Sequence, residues 1–300
     1  MSAFETLAEL ERSAQTTRTA GRVPHPVAPA AARRSAFGEP LAWRALADDR
    51  GVRRPSLADA ESAARALRGA LLRFADDPPP AVLSGHEPDG RRLERPHTAF
   101  LALPGLDGLD ATTGESPATV GALAIFLPRD IAEPERRAIL LAAARFEASG
   151  ARLVLGRLGA LRLARLAGAD ADRSPAFTRL MGASRHWASL TPVALPRNPG
   201  NLFAADPARA ARARREAEQS IADACAHSGL PRPAEVRLLR RAPFPTIPPA
   251  AAFAPYPRVG SGAKRVCVHA ALRFAEPVAG PVLIGVGRYF GVGVCCSPQP

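Results

Sequence analysis

Gly121-Ala122-Leu123-Ala124-Ile125-Phe126-Leu127, followed by Pro134-Glu135-Arg136-Arg137-Ala138-Ile139-Leu140-Leu141-Ala142-Ala143-Ala144-Arg145-Phe146-Glu147-Ala148, decides the fold class. The first run is short, apolar and uninterrupted, and reads as a buried strand. In the second, Pro134 suits the first turn of a helix. Ile139, Leu140, Ala143 and Phe146 then recur on one face. Leu153–Leu155 and Leu161–Leu166 follow as short paired strands. The order is strand, helix, strand, strand.

Working outward, the C-terminal half repeats this rhythm. Toward the N-terminus, Ser56 starts a helix that runs to Phe74, with Asp59 in the capping-box position. Leu57, Ala60, Ala64, Leu67, Leu71 and Phe74 fall on one face, and Asp76-Asp77-Pro78-Pro79-Pro80 ends it. A polar loop from Ser84 to Pro96 leads to a strand at Thr98–Leu103, and Pro104 to Pro117 forms a second loop. Toward the C-terminus, Ala188–Leu195 reads as a strand and Asp206–His227 as a long helix. Strands follow at Ala234–Leu239, Val266–Phe274, Pro281–Gly285 and Gly291–Cys295, with Pro-rich and Gly-rich connections between them. This pattern predicts an α+β protein built from tandem ferredoxin-like (RRM-like) subdomains with a C-terminal Gly-rich loop. The expected divisions are an N-terminal tail or linker over 1–50, partly disordered, a first subdomain over 51–180 and a second over 181–300. Pro24, Pro26, Pro29 and Pro40 break any helix in the tail.

Composition narrows the function. Lys and Arg number 40 against 28 Asp and Glu, a net charge of +12, and Lys264 is the single lysine. Arginine forks onto phosphate and stacks on bases, which suits RNA; GC-rich coding would raise arginine in the same way. Cys225, Cys267, Cys295 and Cys296 form no pair with zinc spacing, and neither a metal nor a cofactor is expected. With no apolar run of about 18 residues and no leader pattern, the expected compartment is the cytoplasm, with no membrane partner.

Three segments have residues suited to chemistry. His86 and His97 flank one polar loop with Arg91, Arg92 and Arg95 between them, a set that provides proton exchange near neutral pH and positive charge for a phosphorane. His86 is otherwise a turn residue bonded to Asp89, and His97 a residue leading into the strand after Pro96. In Ser184-Arg185-His186-Trp187, Arg185 and Trp187 are candidates for a phosphate and a base; core packing is the alternative for Trp187. Gly285, Gly287, Gly291 and Gly293 surround Arg288-Tyr289-Phe290. Glycine permits close backbone approach to a ligand, Arg288 adds charge, and Tyr289 offers a stacking face. The alternative is a Gly-rich hairpin with an aromatic plug. His269, in an apolar strand, reads as a satisfied core histidine.

Four blocks in fixed order carry a family resemblance: Leu83 to Pro104, Ala124-Ile125-Phe126-Leu127-Pro128-Arg129, Ser184 to Val193, and His269–Phe274 with the Gly-rich loop. Together they resemble the crRNA-processing half of the fused backbone and endoribonuclease subunit of type I-U (I-G) CRISPR effectors, in the repeat-associated RNA-processing superfamily. The resemblance implies a metal-independent endoribonuclease that binds CRISPR repeat RNA, leaves a 2′,3′-cyclic phosphate and remains on the crRNA. It also implies as partners the other subunits of a type I effector, including a separate backbone-type subunit. Family members carry further histidines after the Pro-ending strand, whereas Gly105-Leu106-Asp107-Gly108-Leu109-Asp110 has none. Two alternatives therefore stand beside cleavage: a non-catalytic crRNA-binding subunit, and a basic structural scaffold. Under the first reading His86, His97 and Arg95 are the catalytic candidates, and Arg185, Trp187, Arg288, Tyr289 and the four glycines bind RNA.

Overall fold

The computed structural model describes residues 32–46, 54–105, 118–166, 175–258 and 263–298. The expected disordered tail up to residue 31, and all but the start of the loop after Pro104, lie outside the described residues. The chain enters as β1 (Arg33–Arg34) and β2 (Phe37–Leu46). A 3-10 turn over Leu57–Asp59 leads into α1 (Ala60–Phe74), and a single turn of helix, α2 (Ala81–Ser84), follows. Then come β3 (Ala99–Pro104), β4 (Val120–Pro128), α3 (Glu133–Ala148), β5 (Arg152–Val154) and β6 (Ala160–Arg165). Ser56 caps the 3-10 turn, its hydroxyl accepting from the Ala58 N–H at 3.2 Å, while Asp59 makes no side-chain cap.

The first sheet has the order β3-β4-β2-β6-β5, each pair antiparallel. With α1 after β2 and α3 after β4, this is a complete ferredoxin-like unit. Its first strand, β2, comes from the segment read as tail and linker, so the 1–50 boundary is corrected. Pro40 explains the miss. It sits at an irregularity in the β2–β4 register, between Phe37 and Pro40, where its missing N–H is tolerated. Trp43, wholly buried, fastens β2 from both sides. Its Nε1 donates to Glu147 Oε1 of α3 at 2.6 Å, and Arg165 of β6 reaches the same oxygen at 3.1 Å.

A second unit follows: α4 (Pro175–Met181), β7 (Ala183–Ser189), β8 (Val193–Ala194), α5 (Pro207–Ala226), β9 (Glu235–Leu239), β10 (Cys267–Ala279), β11 (Val282–Leu283) and β12 (Val294–Cys296). Asp206 starts α5 by accepting from the backbone of Ala208 at 2.9 Å. The sheet runs β1-β10-β7-β12-β11, with β9 also paired to β10. The path β9-β10-β7-β12 repeats the order of the first sheet. The 3-10 turn Arg288–Phe290 stands where the second helix would lie.

Side-chain alternation joins the units. Trp187, Val282 and Cys295 point into the core beneath α5, while Ala188, Leu283 and Cys296 join the large core built on α1, α3 and the first sheet. A two-residue period thus gives the second sheet one face for its own helix and one for the first unit. His269 is buried as the sequence implied. Ser189 Oγ lies 3.0 Å from its Nδ1, and Pro248 O lies 3.1 Å from its Nε2. No helix among the described residues is long and apolar enough to cross a membrane.

Truncating Trp43 removes a fully buried ring and one of the two hydrogen bonds to Glu147, leaving the one from Arg165. Trp43→Ala is expected to cost about 3–5 kcal/mol of stability, read as a lower urea midpoint with an unchanged slope. A midpoint near that of wild type would show that β2 is dispensable.

Candidate active site

His97 is placed by the turn that precedes β3. The Leu93 N–H donates to Gly85 O at 3.0 Å and the Thr98 N–H to Val82 O at 2.9 Å, folding the 85–97 loop back onto α2. Gly85 ends α2 with φ +74°, and a Cβ there would stand 3.1 Å from the imidazole. Glycine is needed at this position for both conformation and space. On the other side lies Tyr289, its ring stacked on His97 at 3.6 Å between centroids and 22° between planes. Tyr289 arrives from the second unit on the Arg288–Phe290 turn, which packs on α1 and β3. Gly291 closes that turn at φ +71°, close enough to β3 that a Cβ would lie 3.5 Å from Phe100 O.

Cations surround the stacked pair. Arg288 lies 4.6 Å over the Tyr289 ring, with Nη2 3.3 Å from the phenol oxygen and Nη1 donating to Gly285 O at 3.2 Å. Its Nε is buried and has no partner among the described residues. From α1, Arg68 donates to Ser84 O at 2.5 Å and Arg65 stacks on Phe290 at 4.2 Å. Burial, and then the charge of Arg65, lowers the Arg68 pKa. The His97 pKa falls to about 4, chiefly by burial. The charges of Arg288, Arg68 and His86 push it the same way, against the Thr98 carbonyl. At neutral pH His97 is therefore uncharged. With Thr98 O as acceptor 3.3 Å away, Nδ1 carries the proton and donates it in a hydrogen bond, which leaves Nε2 as a proton acceptor.

His86 is near enough to His97 to lower its pKa slightly, and Tyr289 and Arg288 come to His97 from the far end of the chain. His86 is exposed, its Nδ1 3.1 Å from Ser84 O, and the Asp89 carboxylate bonds Arg91, not His86. Arg95 points elsewhere. It forms a forked pair with Glu135 of α3 at 2.9 and 3.0 Å, and the arginines acting on His97 are Arg68 and Arg288. Trp187 is 1% exposed, and its Nε1 donates to Ser184 O at 3.0 Å; no ring face is open to a base, which corrects its RNA-stacking role. Arg185 is exposed and 3.5 Å from Glu276. Gly285, Gly287, Gly291 and Gly293 are all buried against protein, so they shape the turn and do not cradle a phosphate. Sequence reasoning missed Arg65 and Arg68, which lie off the apolar face by which α1 was read; their i,i+3 spacing was the available signal.

Comparisons with known proteins place these features beside CRISPR proteins. The model of a family described as "CRISPR-associated protein, GSU0054 family" matches residues 163–298, just under half of the chain. A crystal structure of Cas6b aligns at TM-score 0.41 and 9% identity, covering 86% of this chain and all of the other. A Cas6 product complex aligns at TM-score 0.36 and 15% identity, covering 86% of this chain and 98% of the other. Both likenesses are distant. No curated protein matches.

The His97 shift has a stability consequence of definite sign. Between pH 6.5, its ordinary value, and about 4, the unfolded chain binds the proton and the folded chain does not. Stability from this group is full above pH 6.5 and is lost as pH falls toward 4, by up to about 3 kcal/mol. His97→Gln should lose less stability than wild type over that interval in urea titrations. Equal losses would mean His97 titrates normally in the fold.

Proposed function

We propose that the protein binds the repeat RNA of a CRISPR array and cleaves its backbone. The neutral His97 imidazole stacked on Tyr289 beneath Arg288 and Arg68 is the observation that carries this reading. Nε2 of His97 takes the proton of a ribose 2′-OH, and the 2′-oxygen attacks the adjacent phosphorus. The P–O5′ bond then breaks, giving a 2′,3′-cyclic phosphate and a 5′-hydroxyl, with the leaving oxygen receiving a proton from the Tyr289 hydroxyl. Arg288, in contact with that hydroxyl, and Arg68 counter the charge developing on the phosphorane. All groups in this scheme belong to the chain, and the reaction is metal-independent. Electrostatics favours a polyanion at this site, since it brings together Arg65, Arg68 and Arg288.

Retention of the cleaved RNA within a type I effector, alongside a separate backbone-type subunit, fits the family match over residues 163–298. The non-catalytic alternative keeps the same surface and RNA and omits the bond-breaking step.

Repeat RNA with a single labelled strand, incubated in EDTA, is the direct test. Wild type should cut at one position. His97→Ala and Tyr289→Phe should each slow cleavage by about 10²-fold or more while binding within a few fold of wild type. His86→Ala and Arg95→Ala should have smaller effects. Binding without cutting by wild type would leave the non-catalytic alternative; unchanged cutting by His97→Ala would remove His97 from the mechanism.

A further inference from the structure

Away from His97 the second unit has a groove of about 640 Å³. It is lined by Phe203, by Leu239 at the end of β9 with Arg240 and Arg241 after it, by Phe253 and its neighbours in the Pro-rich connection, and by Lys264, Arg265, Cys267 and Val268. Four of the lining residues are cationic and none is acidic. Among the described residues, Arg240, Arg241, Lys264 and Arg265 make no ion pair, and the buried Nε of Arg265 has no partner. Some exposed arginines elsewhere on this unit are paired, as Arg232 with Asp223 and Arg273 with Glu235.

Its aromatic content has a matching geometry. The Arg240 guanidinium lies 4.1 Å over the Phe203 ring, and Arg214 of α5 approaches the same ring at 5.4 Å. Two planar groups are therefore already parked against each other at the mouth, with Arg240 exposed. A planar, weakly hydrated guanidinium backed by an aromatic ring is a stacking surface for a nucleobase, and Arg241 and Lys264 beside it suit a phosphate. An apolar peptide would leave these charges desolvated and unpaired.

The groove also adjoins the candidate active site. Tyr256, next to the Phe253–Pro255 wall, touches the Gly-rich turn: a Cβ on Gly287 would come within 3.0 Å of its ring. Gly287 immediately precedes Arg288 and Tyr289. Arg65, beside Phe290, and Arg265, in the groove, both act electrostatically on Tyr256. Arg65, paired with Glu61, and Arg265 thus both lie near Tyr256, between the two sites.

We propose that this groove is a second RNA site, holding an unpaired nucleotide of the strand whose scissile phosphate lies at His97, with the base on Arg240 and Phe203 and the phosphate on Arg241 and Lys264. The proposal rests on the cleavage reading for its place along the strand, but not for its ligand. The test uses the full chain and a fluorescent, unpaired oligo-uridine, followed by anisotropy. Phe203→Ala and Arg240→Ala should weaken binding about tenfold. The exposed charge reversals Arg241→Glu and Lys264→Glu should do the same without touching packing. With repeat RNA, the groove variants should raise the concentration for half-maximal cutting and leave the saturated rate unchanged. If wild type never cuts, the cleavage reading fails while the anisotropy result still decides the groove. Two outcomes overturn the proposal: oligo-uridine binding unaffected by all four variants, or competition by a free mononucleotide as tight as by the oligomer, which would make the groove a small-molecule pocket.

Discussion

The contact between His97 and Tyr289 holds the molecule's two halves in functional register. One ring belongs to the first ferredoxin-like unit and the other to a turn of the second, and they meet at 3.6 Å. That spacing requires the Arg288–Phe290 turn to lie between α1 and β3, which in turn requires the second sheet to give one face to the first unit. Gly85 and Gly291 make room on either side. The stack is small in energy, about 1 kcal/mol, but its geometry is over-determined by the core around it. Such support from rigid elements is what the proposed cleavage would need of the pair.

Assembly at this point concentrates like charge. Arg288 and Arg68 flank a half-buried imidazole, and their repulsion with burial keeps it neutral. Arg65 is partly offset by Glu61 at 2.7 Å, but Arg68 and Arg288 have carbonyls for partners, not carboxylates. A phosphodiester entering there would relieve repulsion that the free protein carries. The stability given up in the empty protein is the counterpart of affinity for an anion.

How much of this was legible depended on the range of the interaction. Apolar periodicity marked α1, α3, α5 and most strands, because burial of one face is a local pattern. Strand β2 escaped, since Gly38 and Pro40 imitate a linker and only the sheet around Trp43 shows otherwise. His97 was visible as a histidine beside arginines on a loop, and Tyr289 as an aromatic residue in a Gly-rich turn. That they touch was not, because nothing in either segment encodes the packing of one unit on the other. Arg95 illustrates the converse: its nearness in sequence suggested a role, whereas Glu135 on α3, forty residues on, engages it. Trp187 likewise looked like a platform for a base until the alternation along β7 turned its ring inward.

The chain order of the stacked pair has a consequence for biosynthesis. Some 190 residues separate His97 from Tyr289. At about 5–20 residues per second, the first unit has on the order of ten seconds or more on the ribosome before its partner ring is made. Throughout that interval His97 stands without the ring that later stacks on it. Under the cleavage proposal, a translation product that stops before Tyr289 would lack the stacked pair.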